Sequence, residues 1–324
     1  MTIVRITRRA IAASLIFIST MPAFADNYPS RPIHWIVPFA PGGLTDIVAR
    51  LVGQKLSEAW GQQVIVENRP GAGGIVGTNV VATAPPDGYT IGGISLSFTI
   101  YPVLYDKVPF DVFDNFLPIT MMSMIPSVLI VNPEQPIHSV EDLIKEAKAS
   151  PGKIGFADGG VGTGGHVGGE LFKKMTGVDM THIPYRGGGP AVTAVIAGEV
   201  PISFSTASLV FQAVRAGEVR AVAVTSPQRI PQLPDVPTVA ESGVPGFETQ
   251  EMQGVVAPVG VPKEIITKLN TEIVRILQLP DIKEKLTNLG APPQTGSPDD
   301  LSKYLHSEVA KWKIVFNDTA VKAK

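Results

Sequence analysis

Three segments of this chain could do the same chemistry. Each is a glycine-rich loop between an apolar run of strand type and a run of helical period. They are Pro41-Gly42-Gly43-Leu44-Thr45-Asp46, Asp158-Gly159-Gly160-Val161-Gly162-Thr163-Gly164-Gly165, and Tyr185-Arg186-Gly187-Gly188-Gly189-Pro190. Glycine lets backbone N–H groups approach a guest with no Cβ in the way. The helix start that follows offers unpaired N–H groups and a partial positive charge, which suit a carboxylate. In open α/β sheets, ligands bind outside the carboxyl ends of the strands, where all three loops fall. Any one of these loops could be a plain tight turn. Three of them across two halves of one chain favour a grip on a shared anion.

The side chains around the loops leave several roles open. Asp46, in the first turn of its helix, either complements the helix dipole or orders a bridging water. His166 opens a helix and either packs and caps there or meets the ligand. Arg186 is the cation of the three loops; it either pairs with a carboxylate or lies in solvent. Ser95, Ser97, Ser203, Ser205 and Thr206 end predicted strands at the same edge, where they donate hydroxyls or cap helices.

Other chemistries find little support. Gly160-x-Gly162-x-x-Gly165 has the form of a dinucleotide fingerprint, but that motif needs an acidic residue at the end of the next strand, and Asp179 lies before it. No lysine of the phosphate-loop type follows any of the glycine loops. The five histidines, His34, His138, His166, His182 and His306, show no metal-ligand spacing. There is no Gly-x-Ser-x-Gly elbow. No cofactor, metal or catalytic residue is expected. The competing enzyme reading is an exported hydrolase acting on a small carboxylate ester.

The elements that must position these loops follow from periodicity. Residues 33–39 read as a strand, 47–56 as a helix, 63–67 as a strand, 75–84 as a helix and 90–95 as a strand, an order that implies a parallel, doubly wound sheet. A second α/β set starts near Ser127. It has strands at 128–131, 153–157, 180–184, 202–204 and 219–225. Its helices are at 139–149, 166–175, 190–197 and 207–216. From about Gly254 the pattern turns helical, with helices at 262–279 and 298–317. The late helices need a sheet to cover, so the C-terminus is expected to return to the first set. That makes residues 26–126 with 249–324 one lobe and 127–248 the other, joined by two crossings near 124–128 and 248–254. Such a pair of crossings forms a hinge.

The ends and the composition fit export. Arg5, Arg8 and Arg9 precede an apolar run too short to span a bilayer, and Ala23-Phe24-Ala25 is a small-x-small site. Residues 1–25 are therefore expected to be a signal peptide cleaved after Ala25. The chain has 27 basic residues, three of them in this leader, against 29 acidic ones, so the mature protein is acidic and nucleic acid is not an expected partner. There is no cysteine, which removes disulfides, thiolate metal sites and a cysteine nucleophile.

Six ordered motifs carry a family resemblance. They are Tyr28-Pro29-x-Arg31-Pro32-Ile33 running into Val37-Pro38-Phe39-Ala40-Pro41-Gly42-Gly43-x-Thr45-Asp46; Val66-Glu67-Asn68-Arg69-Pro70-Gly71-Ala72-Gly73-Gly74; Pro86-Asp87-Gly88-Tyr89-Thr90; Pro184-Tyr185-Arg186-Gly187-Gly188; Leu233-Pro234-Asp235-Val236-Pro237-Thr238; and Glu241-x-Gly243. Through them the chain resembles the substrate-binding (Bug) proteins of tripartite tricarboxylate transporters over nearly its whole mature length. The resemblance implies an α/β, type 2 periplasmic-binding-protein fold with two doubly wound lobes on a two-crossing hinge. It implies a monomeric periplasmic protein that holds a small carboxylate between its lobes and delivers it to a membrane pair of one large and one small subunit. The expected contact residues are Phe39, Pro41, Gly42, Gly43, Thr45, Asp46, Ser95, Ser97, Asp158, Gly160, Gly162, Thr163, His166, Tyr185, Arg186, Gly187, Ser205 and Thr206.

Two positions depart from the family pattern. Asp158 stands where a small polar residue is usual, and Met252 where a tryptophan is usual. Asp158 either caps the helix after it or repels a second carboxylate, which would favour an amine, a hydroxyl or an aromatic ring there. Met252 is expected to alter the outer wall of the cleft.

Overall fold

The computed structural model describes residues 27–317. The expected leader and its cleavage site lie outside the described residues. The first three strands, β1 (Ile33–Val37), β2 (Val64–Asn68) and β3 (Thr90–Ser95), form a parallel trio with β1 in the middle. Helices α1 (Leu44–Trp60) and α2 (Ile75–Ala82) connect them, and α3 (Ser97–Leu104) follows. α1 is built on the period read from the sequence: Val48, Val52 and Leu56 are buried, and Gly61 ends the helix in a left-handed conformation.

A 16-residue strand, β4 (Phe116–Val131), carries the chain out of this trio. The second α/β set follows as α4 (Val140–Ala149), β5 (Gly155–Asp158), α5 (Gly164–Thr176), β6 (Thr181–Pro184), α6 (Gly188–Ile196), β7 (Ile202–Thr206), α7 (Ala207–Arg215) and β8 (Arg220–Val224). Here β6, β5 and β7 are parallel, and the far end of β4 joins β7 and β8 antiparallel.

The return corrects one expectation. The chain does not turn helical at Gly254, because β9 (Gln250–Pro258) is a strand buried over most of its length. It pairs antiparallel with β3 on one side and with β4 on the other, from Phe116 opposite Pro258 to Pro126 opposite Gln250. Its run Met252-Gln253-Gly254-Val255-Val256-Ala257 shows neither helical nor alternating period, since both of its faces are covered. The two crossings between the lobes thus lie side by side as one antiparallel pair. Each parallel trio is extended by antiparallel strands, in the order β2-β1-β3-β9-β4-β7-β5-β6, with β8 also on β4.

Helix α8 (Lys263–Leu277) lies with α1 over one face of the first sheet, where Trp35, Val52, Leu269 and Ile273 are fully buried. Each such side chain stabilises the fold by about 1.5–3 kcal/mol relative to an exposed one. α9 (Pro280–Asn288) continues that layer. α10 (Pro298–Phe316) reaches further. Leu301 and Leu305 pack in the first lobe beside Tyr101 and Phe116, while Trp312, Val315 and Phe316 enter the core of the second lobe beside Phe156, Val167 and Phe172. No helix of the described residues is long and apolar enough to cross a membrane.

Candidate functional site

A cavity of about 510 Å³ opens between the two lobes. One wall is the first-lobe loop and the start of α1: Gly42, Gly43, Leu44 and Ile47. The opposite wall comes from the second lobe. Gly159, Thr163 and Gly165 precede or open α5, Gly187, Gly188 and Gly189 open α6, and Ser205, Thr206, Ser208 and Leu209 lead into α7 beside Phe204. Glu251 of β9 and Leu289, just after α9, complete the lining.

Four helix N-termini therefore converge on one space. The Gly43, Gly187 and Thr206 positions that start α1, α6 and α7 carry no side-chain cap. Their first-turn amides have no partner within their helices and remain for a guest. α5 differs, because the Thr163 hydroxyl accepts from the His166 amide. Gly187 has φ +110° and Gly42 has φ +84°, conformations that L side chains rarely adopt. The glycines at these two loops are thus demanded by the backbone as well as by the cavity.

Of the expected contact residues, Gly42, Gly43, Thr163, Gly187, Ser205 and Thr206 line the cavity. The others stand behind or beside it. Pro41 and Arg186 are exposed outside the lining. Phe39 turns its ring toward Gly74, and Tyr185 packs on the second-lobe core. Ser95 and Ser97 bond to each other at 3.0 Å, and the Thr45 hydroxyl donates to Gln253 Oε1 at 2.6 Å.

Asp46 is a positioning group. Its carboxylate accepts from the Gly42 amide at 2.9 Å, from Asn68 Nδ2 at 2.9 Å and from Arg50. Burial pushes its pKa up, but the bonds from Arg50, Gly42 and Asn68 outweigh burial and hold it below the ordinary value. The loop that faces the guest is therefore braced by a side chain that does not face it.

The second loop is braced in the same way. Asp158 ends β5 fully buried and accepts from the Gly160 amide at 2.6 Å, with His182 Nε2 at 2.5 Å from its other oxygen. The Gly162 amide donates to His166 Nδ1 at 3.2 Å. These two amides are used inside the loop, so a contact of Gly160 or Gly162 with a guest would have to come from other atoms. Of the two roles left open for Asp158, these bonds favour bracing the backbone ahead of α5, since Asp158 is not among the residues that line the cavity. Burial raises the Asp158 pKa, with His182 and Gly160 pulling it back. His166 is driven down to about 3, first by burial and then by His182 and Lys173. It is neutral, as an acceptor at Nδ1 requires, and it stacks on Phe316 of α10.

Met252 is fully buried among Leu301, Leu305 and Met124, so it is core and not cleft wall. Its neighbour Glu251 reaches the cavity instead. The period of two along a strand explains the exchange, but the reading above had no strand there to apply it to.

The fold and the site define a two-lobed solute-binding receptor. The family model described as "Tripartite tricarboxylate transporter family receptor" matches residues 48–321, and the chain belongs to that family. It is 41% identical over 304 residues to the UPF0065 protein in the tcbD-tcbE intergenic region of Pseudomonas sp. (strain P51), covering 94% of this chain and 90% of that protein. It is 37% identical to the protein BugT of Bordetella pertussis, covering 98% and 99%. Among solved structures it is similar to R. palustris Rpa4515 with adipate, at TM-score 0.81, 36% identity and coverage of 90% and 97%. It is also similar to MatC of Rhodopseudomonas palustris with bound malate, at TM-score 0.78, 31% identity and coverage of 89% and 99%. Family and structural relatives are solute-binding proteins, and the hydrolase alternative finds no support among them.

Proposed function

We propose that this protein captures a small organic carboxylate in the cavity between its lobes, in the periplasm, and delivers it as a monomer to a membrane pair of a large and a small subunit. The observation that carries this reading is the convergence of four helix starts on a cavity lined by no lysine, arginine or histidine. A carboxylate there is held by oriented amides, each worth most where water is excluded. The adipate and malate of the solved relatives support the chemical class. The antiparallel pair β4 and β9 between the lobes is the element on which closure would turn.

A thermal-shift panel of carboxylic acids tests the proposal. A ligand at 100 times its Kd should add about 2.7 kcal/mol of stability, with no product formed. If no carboxylic acid raises the melting temperature, or if a bound acid ester is hydrolysed, the proposal is wrong.

A further inference from the structure

The cavity contains one charged side chain, and it has the sign of the proposed guest. Glu251 lies on β9 between Met252, which faces the core, and the strand's entry from the second lobe. It stands across from the start of α5, where a Cβ on Gly164 would lie 3.7 Å from the Glu251 Cβ and 3.8 Å from its Oε2, just beyond the Ser127 Oγ at 3.6 Å. Thr206 and Gln253 are the polar side chains on its carboxyl. The Gln253 amide is itself held at its Oε1 by the Thr45 hydroxyl, which leaves its Nε2 on the Glu251 side. No second titratable side chain lines the space. Burial raises the Glu251 pKa, and the pull of Thr206 and Gln253 does not offset it.

The rest of the lining sorts by chemistry. The glycine loops and Thr206 supply amides and hydroxyls, while Leu44, Ile47, Leu209 and Leu289 supply an apolar side. One carboxylate can be satisfied by the helix starts. A second would enter a space with no cation to meet it and with Glu251 against it.

We propose that Glu251 sets the charge of the guest: the cavity takes acids with a single carboxylate and an apolar body, and discriminates against a second carboxylate. This rests on the carboxylate reading above and names the subclass it admits. Like charges in a partly dehydrated space repel strongly, and discrimination by an unpaired charge is a recognised route to specificity.

The test uses two matched pairs, hexanoate with adipate and benzoate with terephthalate, measured by calorimetry on the full mature protein at neutral pH. The wild type should prefer the monoacid of at least one pair by tenfold or more. In Glu251→Gln that preference should shrink to threefold or less, mainly through tighter diacid binding. Glu251→Ser, which also removes the charge, should behave alike if the glutamine variant folds poorly. Equal wild-type affinities within both pairs, or a preference that survives both substitutions, would overturn the proposal. So would tight diacid binding with uptake of one proton, because Glu251 would then be a neutral donor to the second carboxylate. If no member of either pair binds and no other carboxylic acid does, the broader reading fails with it. If diacids alone bind, only the subclass is wrong.

Discussion

Three helix starts at the cleft, those of α1, α6 and α7, are built differently from the starts of α4 and α10. α10 opens with a complete capping box, in which the Ser297 hydroxyl accepts from the Asp300 amide and Asp300 accepts from the Ser297 amide. α4 opens with Ser139 accepting from Asp142. These ends satisfy themselves. At the cleft, α1, α6 and α7 leave their first turns without a side-chain cap, and the acids and histidines nearby brace the loops from behind. An unused N-terminal amide costs stability in a free helix. At α1, α6 and α7 the uncapped turns border the cavity, where a bound anion can offset that cost.

Substitutions can break this contrast, starting with the largest effect. Gly165→Ala should cost on the order of 3 kcal/mol, because its Cβ would lie 2.2 Å from the Phe204 carbonyl oxygen and 2.9 Å from the Asp158 Cβ. Chemical denaturation should show this loss, and a mild effect would mean that the α5 start is softer than described.

Acid should act on the two classes of helix start in different windows. The His166 pKa is near 6.5 in the unfolded chain and about 3 in the fold, so the unfolded state binds more protons between those values. Stability should fall as pH drops below 6.5, by up to about 1.4 kcal/mol per pH unit from this group. His166→Gln should flatten that slope in a denaturation series. Asp300 has a lowered pKa, through its bonds from Ser297, so its contribution should persist until pH falls through that lowered value, below 3.8. An unchanged acid slope in His166→Gln would assign the sensitivity elsewhere.

Gly43→Ala has room in the fold, since the nearest atom to its Cβ would be the Ala40 oxygen at 3.7 Å. It should leave stability within about 0.5 kcal/mol, as an open surface site does. The added methyl group faces the cavity and should weaken carboxylate binding about tenfold, or 1.4 kcal/mol. Ser297→Ala should do the reverse, costing about 1 kcal/mol of stability with ligand affinity unchanged. If Ser297→Ala weakens binding as much as Gly43→Ala does, the division between the two kinds of helix start has no functional meaning.

Much of the fold was legible in the residues. β1, α1, β3, α4, α5 and α7 fall close to the runs that the sequence pattern marks, because each is bounded by a turn or end signal such as Pro41-Gly42, Gly61, Gly88, Ser139 or Gly177. β4 and β9 were harder to read. Their buried stretches are covered on both faces, so neither shows an alternating pattern. The same blind spot hid Glu251, whose place in the cleft follows only once β9 is known to be a strand.

The amino-acid sequence alone determined that glycine loops follow strands and open helices, because that depends on local backbone freedom and on turn residues close in the chain. It also pointed to an anion as the kind of guest those loops suit. Which amides stay free was decided only by the tertiary structure. Asp158 and His166 turn inward to take the Gly160 and Gly162 amides, while Glu251 arrives from a strand some 90 residues away in sequence. The first two bonds are local, but the inward turn of Asp158 and His166 depends on the burial around them, and the arrival of Glu251 joins distant parts of the chain, so no local pattern announces either.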